Sequence, residues 1–125
     1  MTPKESTTAR GRNGEHRAAQ FLRQHGYTIL AQNFRSRTGE VDIIAGTEFV
    51  TAFVEVKSWR TVPMDALEYS IGGAKRNRLV QTARYFLREF PEYRERTLRF
   101  DVIFVSTGDG TIRHFEGAFE ASCPE

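Results

Sequence analysis

The stretch that decides the fold is residues 39–57, which read GEVDIIAGTEFVTAFVEVK. Two runs rich in strand-forming residues, 41–45 and 52–59, flank a polar segment that starts at Gly46. Apolar runs of this length favour strands, and a glycine followed by polar residues favours the turn between them. The sequence therefore predicts a β-hairpin that closes near residues 46–49.

Charged residues interrupt both strands of this hairpin. Side chains alternate across a strand, so Glu55 and Lys57 share one face of the sheet. Twelve residues separate Asp42 from Glu55, and a turn near Gly46 places the two carboxylates roughly opposite each other. We expect Asp42, Glu55 and Lys57 to converge on one face.

The rest of the pattern predicts two helices and three more strands. In chain order, the predicted elements are a helix over 7–25, strands over 27–33, 41–45 and 52–59, a helical region over 64–90 interrupted at Gly72-Gly73, and strands over 98–106 and 111–115. The order α-β-β-β-α-β-β predicts an α/β fold, with a mixed central sheet flanked by helices.

Length and composition restrict the class of protein. The chain has 125 residues, which favours one domain, and residues 1–10 are polar enough to predict a flexible tail. The net charge is only +2, so overall basicity does not indicate nucleic-acid binding. The single cysteine, Cys123, excludes an intrachain disulfide, and no apolar run is long enough to span a membrane. We expect a cytoplasmic protein.

Two carboxylates and a lysine on one face suit metal-dependent phosphodiester chemistry. Mg²⁺ prefers oxygen ligands, and Asp42, Glu55 and the backbone carbonyl of Val56 supply three candidates. A held metal polarises a scissile phosphate and activates water. Lys57 can orient that water or stabilise charge that develops on the phosphate. Glu15, on the inward stripe of the first helix, can approach the same point.

A simpler interpretation is a surface ion pair between Glu55 and Lys57 on the wet face of an antiparallel sheet. Phe53, Val54 and Trp59 flank the pair, however, and indicate a central strand. Charges in such a strand are costly unless they are paired or bind a metal. The flanking residues therefore favour the functional hypothesis.

The second predicted helix carries further candidates. Lys75, Arg76 and Arg78 lie at its start, where phosphates are favourable partners. Gln81 and Tyr85 are four residues apart and so share a helix face. Ordinary solvated or amphipathic surface is the alternative interpretation for both groups.

Several other polar residues receive a structural interpretation or none. Asp101 lies in an apolar strand, and we interpret it as structural and paired with a nearby arginine. His16, His25 and His114 show no metal-ligand spacing and receive no role. Trp59 is interpreted as packing in the core or at the rim of the site.

With these residues in place, the sequence resembles a known family, the small YraN-like bacterial proteins. The hairpin carries the resemblance through G-E-V-D-I-I-A followed by F-V-E-V-K. Further matches over about residues 11–119 are Gly14-Glu15, Ala18, Lys75, Leu79, Ala83, residues 99–102, His114, Ala118 and Phe119.

That family is similar to archaeal Holliday-junction resolvases and to the PD-(D/E)XK restriction-endonuclease-like nucleases. The resemblance implies a restriction-endonuclease-like fold, a single nuclease-like domain over 1–125, and Mg²⁺- or Mn²⁺-dependent cleavage of DNA, with branched or junction DNA among the candidates. It implies Asp42, Glu55 and Lys57 as the catalytic trio and Glu15 as a fourth acid. Gln81 and Tyr85 match a Q-x-x-x-Y that some related nucleases place on this helix beside the active site. The proline of the superfamily motif is Val41 here. Junction-cutting relatives act as two-fold dimers, which leaves a homodimer open.

Two rival functions stay open. One is a non-catalytic nucleic-acid-binding module that keeps the nuclease fold and the acidic pocket. The other is a structural or interaction protein of the chromosome or ribosome. The intact set of Asp42, Glu55 and Lys57 favours an enzyme over both.

Overall fold

The structure, a computed structural model, describes residues 7–59 and 72–119. The described elements, in chain order, are α1 (Thr7–Gln24), β1 (Thr28–Arg35), β2 (Glu40–Gly46), β3 (Val50–Trp59), α2 (Gly73–Glu89), a 3₁₀ turn (Pro91–Tyr93), β4 (Thr97–Ser106) and β5 (Ile112–Phe119). The predicted order α-β-β-β-α-β-β is confirmed, and the 3₁₀ turn is an addition to it.

Most predicted boundaries lie close to the observed ones, and two differ informatively. Strand β5 runs to Phe119, although the sequence predicted an end at residue 115. Helix α2 begins after Gly72, whose backbone is extended, and residues 64–71 of the predicted helical region lie outside the described residues. Residues 1–6 of the predicted tail also lie outside them, and α1 already begins at Thr7. Neither helix is long and apolar enough to cross a membrane.

The strands form one five-stranded sheet in the order β1-β2-β3-β4-β5. The β2–β3 hairpin pairs Gly46 with Thr51 and turns at Thr47, as the sequence predicted. Strands β3 and β4 are parallel, whereas the other neighbours are antiparallel. Parallel neighbours need a long crossover connection, and α2 lies within that connection. The sheet is therefore mixed, with β3 at its centre.

Apolar side chains cover both faces of β3, because each helix packs on one of them. Val54 belongs to the cluster that includes Ala18 and Leu22 of α1, whereas Phe53 belongs to the cluster around Phe86 of α2. Residues 51–55 are all buried, Glu55 included. The prediction of a central strand is confirmed, and a charged side chain in it needs a partner.

Packing of Trp59 is also confirmed. Its ring meets that of Phe104 edge-on, with centroids 5.0 Å apart. It belongs to the apolar residues around the α2-side cluster. Trp59 thus continues the aromatic layer to the far end of β3.

Candidate functional site

Strands β2 and β3 stop pairing just where their charged residues begin. The last paired residues are Ile43 and Val54, so Asp42 and Glu55 are the next along each strand. The Asp42 carboxylate accepts a hydrogen bond from the Val56 N–H at 2.8 Å. A side chain therefore takes the place of a backbone acceptor at the point where the two strands part.

Lys75 meets Glu55 at this opening. Its Nζ lies 2.6 Å from the Glu55 carboxylate, whose side chain is only 8% exposed. Lys75 comes from the first turn of α2, which begins at Gly73. The lysine is thus the counter-charge of a buried carboxylate, and the phosphate contact predicted for it stays a prediction.

Helix α1 approaches the same opening from the other side. A Cβ at Gly14 would lie 2.1 Å from Ser58 Oγ, so only glycine allows α1 to come this close to β3 with Ser58 in its present position. The close approach brings Glu15 into electrostatic contact with Asp42 and Glu55. Asn33, whose φ of 54° is left-handed, hydrogen-bonds Glu15 from β1.

The gathered acids shift each other's ionisation. Partial burial and then the charge of Glu55 raise the pKa of Asp42 to about 7, and Glu15 adds to this rise. The Val56 N–H and Lys75 act in the opposite direction. Burial also raises the pKa of Glu15. Strong shifts of this kind concentrate at functional sites, because chemistry requires charges that folding alone would avoid.

A pocket of about 170 Å³, called the acidic pocket below, opens between these residues. The residues that line it are Gly39, Glu40, Asp42, Glu55, Lys75, Arg78 and Leu79. Lys57 lies two residues beyond Glu55 on the same strand and is half-buried, but it is outside this lining. The pocket therefore joins two of the predicted trio directly, with Lys75 as its lysine.

The other predicted site residues, all on α2, lie in different places. Arg78 lines the acidic pocket, whereas the guanidinium of Arg76 lies over the Phe119 ring, 5.4 Å from its centroid. Gln81 and Tyr85 line a second pocket, formed with residues 36–38 and Arg88. The predicted basic residues at the start of α2 thus lie in two different places. Gln81 and Tyr85 lie beside the acidic pocket rather than in it.

Sequence reasoning missed two residues at this site. Asn33 contacts Glu15, and Glu40 lines the pocket while pairing with Arg35 at 3.5 Å. Asparagine is uncommon in strands, and this was the available signal for Asn33. Glu40 lies directly before Val41-Asp42, so alternation already put it on the face of Asp42.

The donor set suits a hard divalent cation. Carboxylate oxygens of Asp42 and Glu55 face one pocket, and Glu15 lies within electrostatic reach of both. Such oxygen ligands are those that Mg²⁺ and Mn²⁺ accept. In the described part of the chain, no three acidic, histidine or cysteine side chains are already arranged around a common ion position. Lys75 supplies the positive charge beside Glu55 instead.

A second buried carboxylate lies on β4, away from this pocket. Asp101 accepts two hydrogen bonds from Arg99, both at 2.9 Å, which confirms its predicted pairing with an arginine. His114 Nε2 lies 2.8 Å from the same carboxylate, and the Gly117 N–H donates at 3.0 Å. His114, which received no role from the sequence, is therefore part of a structural cluster. Arg99 also donates to the Tyr27 hydroxyl.

Comparison with known proteins gives one consistent family. The profile described as "Uncharacterised protein family UPF0102" matches residues 14–105. A UPF0102 protein of Desulfosudis oleivorans is 38% identical over 112 residues, which cover 90% of each chain. One of Treponema pallidum is 39% identical, covering 88% of this chain and 91% of the relative. One of Pseudomonas aeruginosa is 37% identical, covering 97% and 100%.

Proposed function

The chain belongs to the UPF0102 family, and on that premise we propose that it is a metal-dependent endonuclease that hydrolyses DNA phosphodiester bonds. The observation that carries the proposal is the gathering of Glu15, Asp42 and Glu55 where β2 and β3 part. Folding alone gives no reason to bring three carboxylates together, because like charges at close range oppose ionisation. A site that receives a divalent cation gives such a reason.

The resemblance to PD-(D/E)XK nucleases supports the same function. Asp42 and the Glu55-Val56-Lys57 segment lie on neighbouring strands that form a hairpin, in the middle of the order α-β-β-β-α-β-β. Fold kinship alone is a weak guide to activity, and the stronger support comes from the residues of the site. The acids of that motif are both present and face one pocket.

Each residue has a proposed task. Asp42 and Glu55, with the Val56 carbonyl, would hold Mg²⁺ or Mn²⁺, which supplies charge neutralisation at the scissile phosphate. Lys57, on the strand face of Glu55, positions the attacking water or stabilises charge that develops on the phosphate. Glu15 adds negative charge beside Asp42 and so strengthens the attraction for a cation. Lys75 neutralises Glu55 until that cation arrives.

One observation favours a second candidate, a nucleic-acid-binding module without turnover. The Lys75–Glu55 contact of 2.6 Å already compensates the charge of Glu55 without a metal. A protein that no longer cuts can keep such an internal pair. The two candidates differ in whether a divalent cation displaces the lysine.

A cleavage panel tests the proposal. Labelled single-stranded, duplex, flap and four-way DNA are incubated with the full chain and Mg²⁺ or Mn²⁺, with EDTA as the metal-free control. We expect cleavage of at least one substrate only when a metal is present. A preference for the four-way substrate would indicate branched DNA, and size-exclusion chromatography with light scattering would then show whether a homodimer matches its two-fold symmetry. Absence of cleavage with both metals would favour the binding module.

A further inference from the structure

A groove adjoins the acidic pocket and continues its walls. One wall is the loop between β1 and β2, and the other is the outer face of α2. Gly39 and Arg78 line the acidic pocket, while the preceding loop residues 36–38 and the next turns of α2 line a groove of about 390 Å³. The two pockets therefore lie next to each other along the same loop and the same helix.

Hydrogen bonds fix the loop wall against the helix. Ser36 N–H donates to the Gly39 carbonyl at 2.8 Å, and the Ser36 hydroxyl lies 3.1 Å from Thr82 Oγ1. Thr82 is fully buried and donates to the Arg78 carbonyl at 2.9 Å. Thr38 Oγ1 lies 3.4 Å from the same threonine. The groove is thus built into the fold, and its width does not depend on a freely moving loop.

The groove is basic and partly aromatic. Its lining residues are Ser36, Arg37, Thr38, Gln81, Tyr85 and Arg88, none of them acidic. Arg37 and Arg88 are exposed on opposite walls. The Arg88 guanidinium lies 5.8 Å from the Tyr85 ring centroid, and that ring contacts Phe34 at 5.9 Å. The cations and hydroxyl donors on two fixed walls suit a polyanion whose phosphates follow one another along a strand.

We infer that this groove binds the phosphodiester backbone of DNA on one side of the scissile bond, with Arg37 and Arg88 contacting phosphates. The inference that the DNA strand continues from the groove into the acidic pocket rests on the proposed function. The binding itself rests on the charge and geometry of the groove. The contacts position the strand without reading its bases, so they contribute to affinity and make it depend on salt.

The test is the salt dependence of binding to a labelled duplex, measured by fluorescence anisotropy in EDTA. The test variant is Arg37→Gln with Arg88→Gln, and a charge-retaining variant is Arg37→Lys with Arg88→Lys. The matched control is Arg23→Gln with Arg94→Gln, two exposed arginines outside the groove. Each lost phosphate contact lowers the log–log slope by about 0.9 for duplex DNA, so the test variant should lose about 1.8.

The control should keep the wild-type slope, and the lysine variant should recover most of the lost slope. Equal slopes in the glutamine variant and the control, with both melting as the wild type does, would overturn the inference. The cleavage panel separates the two proposals. If the chain binds DNA through Arg37 and Arg88 but cleaves no substrate, the inferred groove stands and the proposed nuclease activity is wrong. If the chain cleaves DNA but the salt slope of the glutamine variant equals that of the wild type, the nuclease activity stands and the inferred groove is wrong.

Discussion

Asp42 and Asp101 are both carboxylates inside the sheet, and their surroundings are opposite. The Asp101 side chain is fully buried and is paired with Arg99 and His114. Although burial alone would raise the pKa of Asp101, hydrogen bonds from His114, Arg99 and Gly117 lower it below its ordinary value. Asp42 accepts a hydrogen bond from the Val56 N–H and is in hydrogen-bond contact with the Glu15 carboxyl, and burial with two neighbouring acids raises its pKa to about 7.

This contrast separates scaffold from site. A carboxylate that accepts hydrogen bonds from several neighbouring donors needs no further ligand once the chain has folded. A carboxylate left beside other acids has unused capacity to bind a cation, and its shifted pKa marks a cost that folding does not need. Asp101 is therefore assigned to stability and Asp42 to function, and substitutions at either residue can test that assignment.

The largest effect is expected on catalysis at the acidic pocket. Asp42→Asn, Glu55→Gln and Lys57→Ala should each lower the cleavage rate by about 1000-fold or more, and the triple variant should be little worse, because residues acting as a unit fail together. Rates are measured on the best substrate of the panel. Glu48→Gln, an exposed acid at the hairpin turn, is the control and should cut normally. Wild-type rates in any of the three would remove that residue from the mechanism.

The next effect is expected on stability at the scaffold cluster. Asp101→Asn removes the buried charge partner of Arg99, which keeps only the exposed Glu116 at 3.8 Å. Breaking a buried ion pair costs about 3–5 kcal/mol. Asp42→Asn relieves repulsion between carboxylates, so it should keep or raise the free energy of unfolding in EDTA. Urea unfolding of both variants against the wild type measures the difference. A larger loss for Asp42→Asn than for Asp101→Asn would reverse the assignment.

Acid should erase the stabilising effect of Asp101. Its pKa is lower in the folded chain than the ordinary value of 3.8, so its contribution is complete above that value and is lost as the pH falls through the folded pKa. The stability difference between wild type and Asp101→Asn should therefore be largest near neutrality and shrink below about pH 4. Unfolding free energies from pH 7 to pH 3 give this curve. A difference that grows with acid would contradict the lowered pKa.

The smallest effect is expected at the Lys75–Glu55 pair. Lys75 is 43% exposed, so solvent screens the pair. Lys75→Met should lower stability in EDTA by about 1 kcal/mol, since such pairs rarely contribute more. In a Glu55→Gln background the same change should cost less, because the carboxylate that needs the ammonium is gone. Equal costs in both backgrounds would show that Lys75 acts elsewhere.

Local patterns were enough to predict the hairpin and its acids. Alternation along β3 and a short turn determine the relation of Asp42 to Glu55, and both follow from sequence separation alone. The register Ile43–Val54 reproduces that expectation. The central position of β3 was also readable, because Phe53 and Val54 require apolar cover on both faces.

Long-range partners were not readable in the same way. His114 meets Asp101 through the β4–β5 register, which shifts between Phe100 and Val102 and so cannot be counted along the sequence. Lys75 reaches Glu55 because α2 folds back across the sheet, and a helix start by itself does not say which way a long side chain turns. The left-handed backbone of Asn33 likewise depends on its surroundings.

Divalent-cation binding tests the central claim most directly. Mn²⁺ is titrated calorimetrically into the metal-free full chain, its Asp42→Asn and Glu55→Gln variants, and the Glu48→Gln control. The wild type and the control should bind Mn²⁺ with the same affinity, and each pocket variant should bind it at least about tenfold more weakly, as expected when a charged ligand is lost. Equal Mn²⁺ affinity in the wild type and both pocket variants would contradict the assignment of this pocket to a metal.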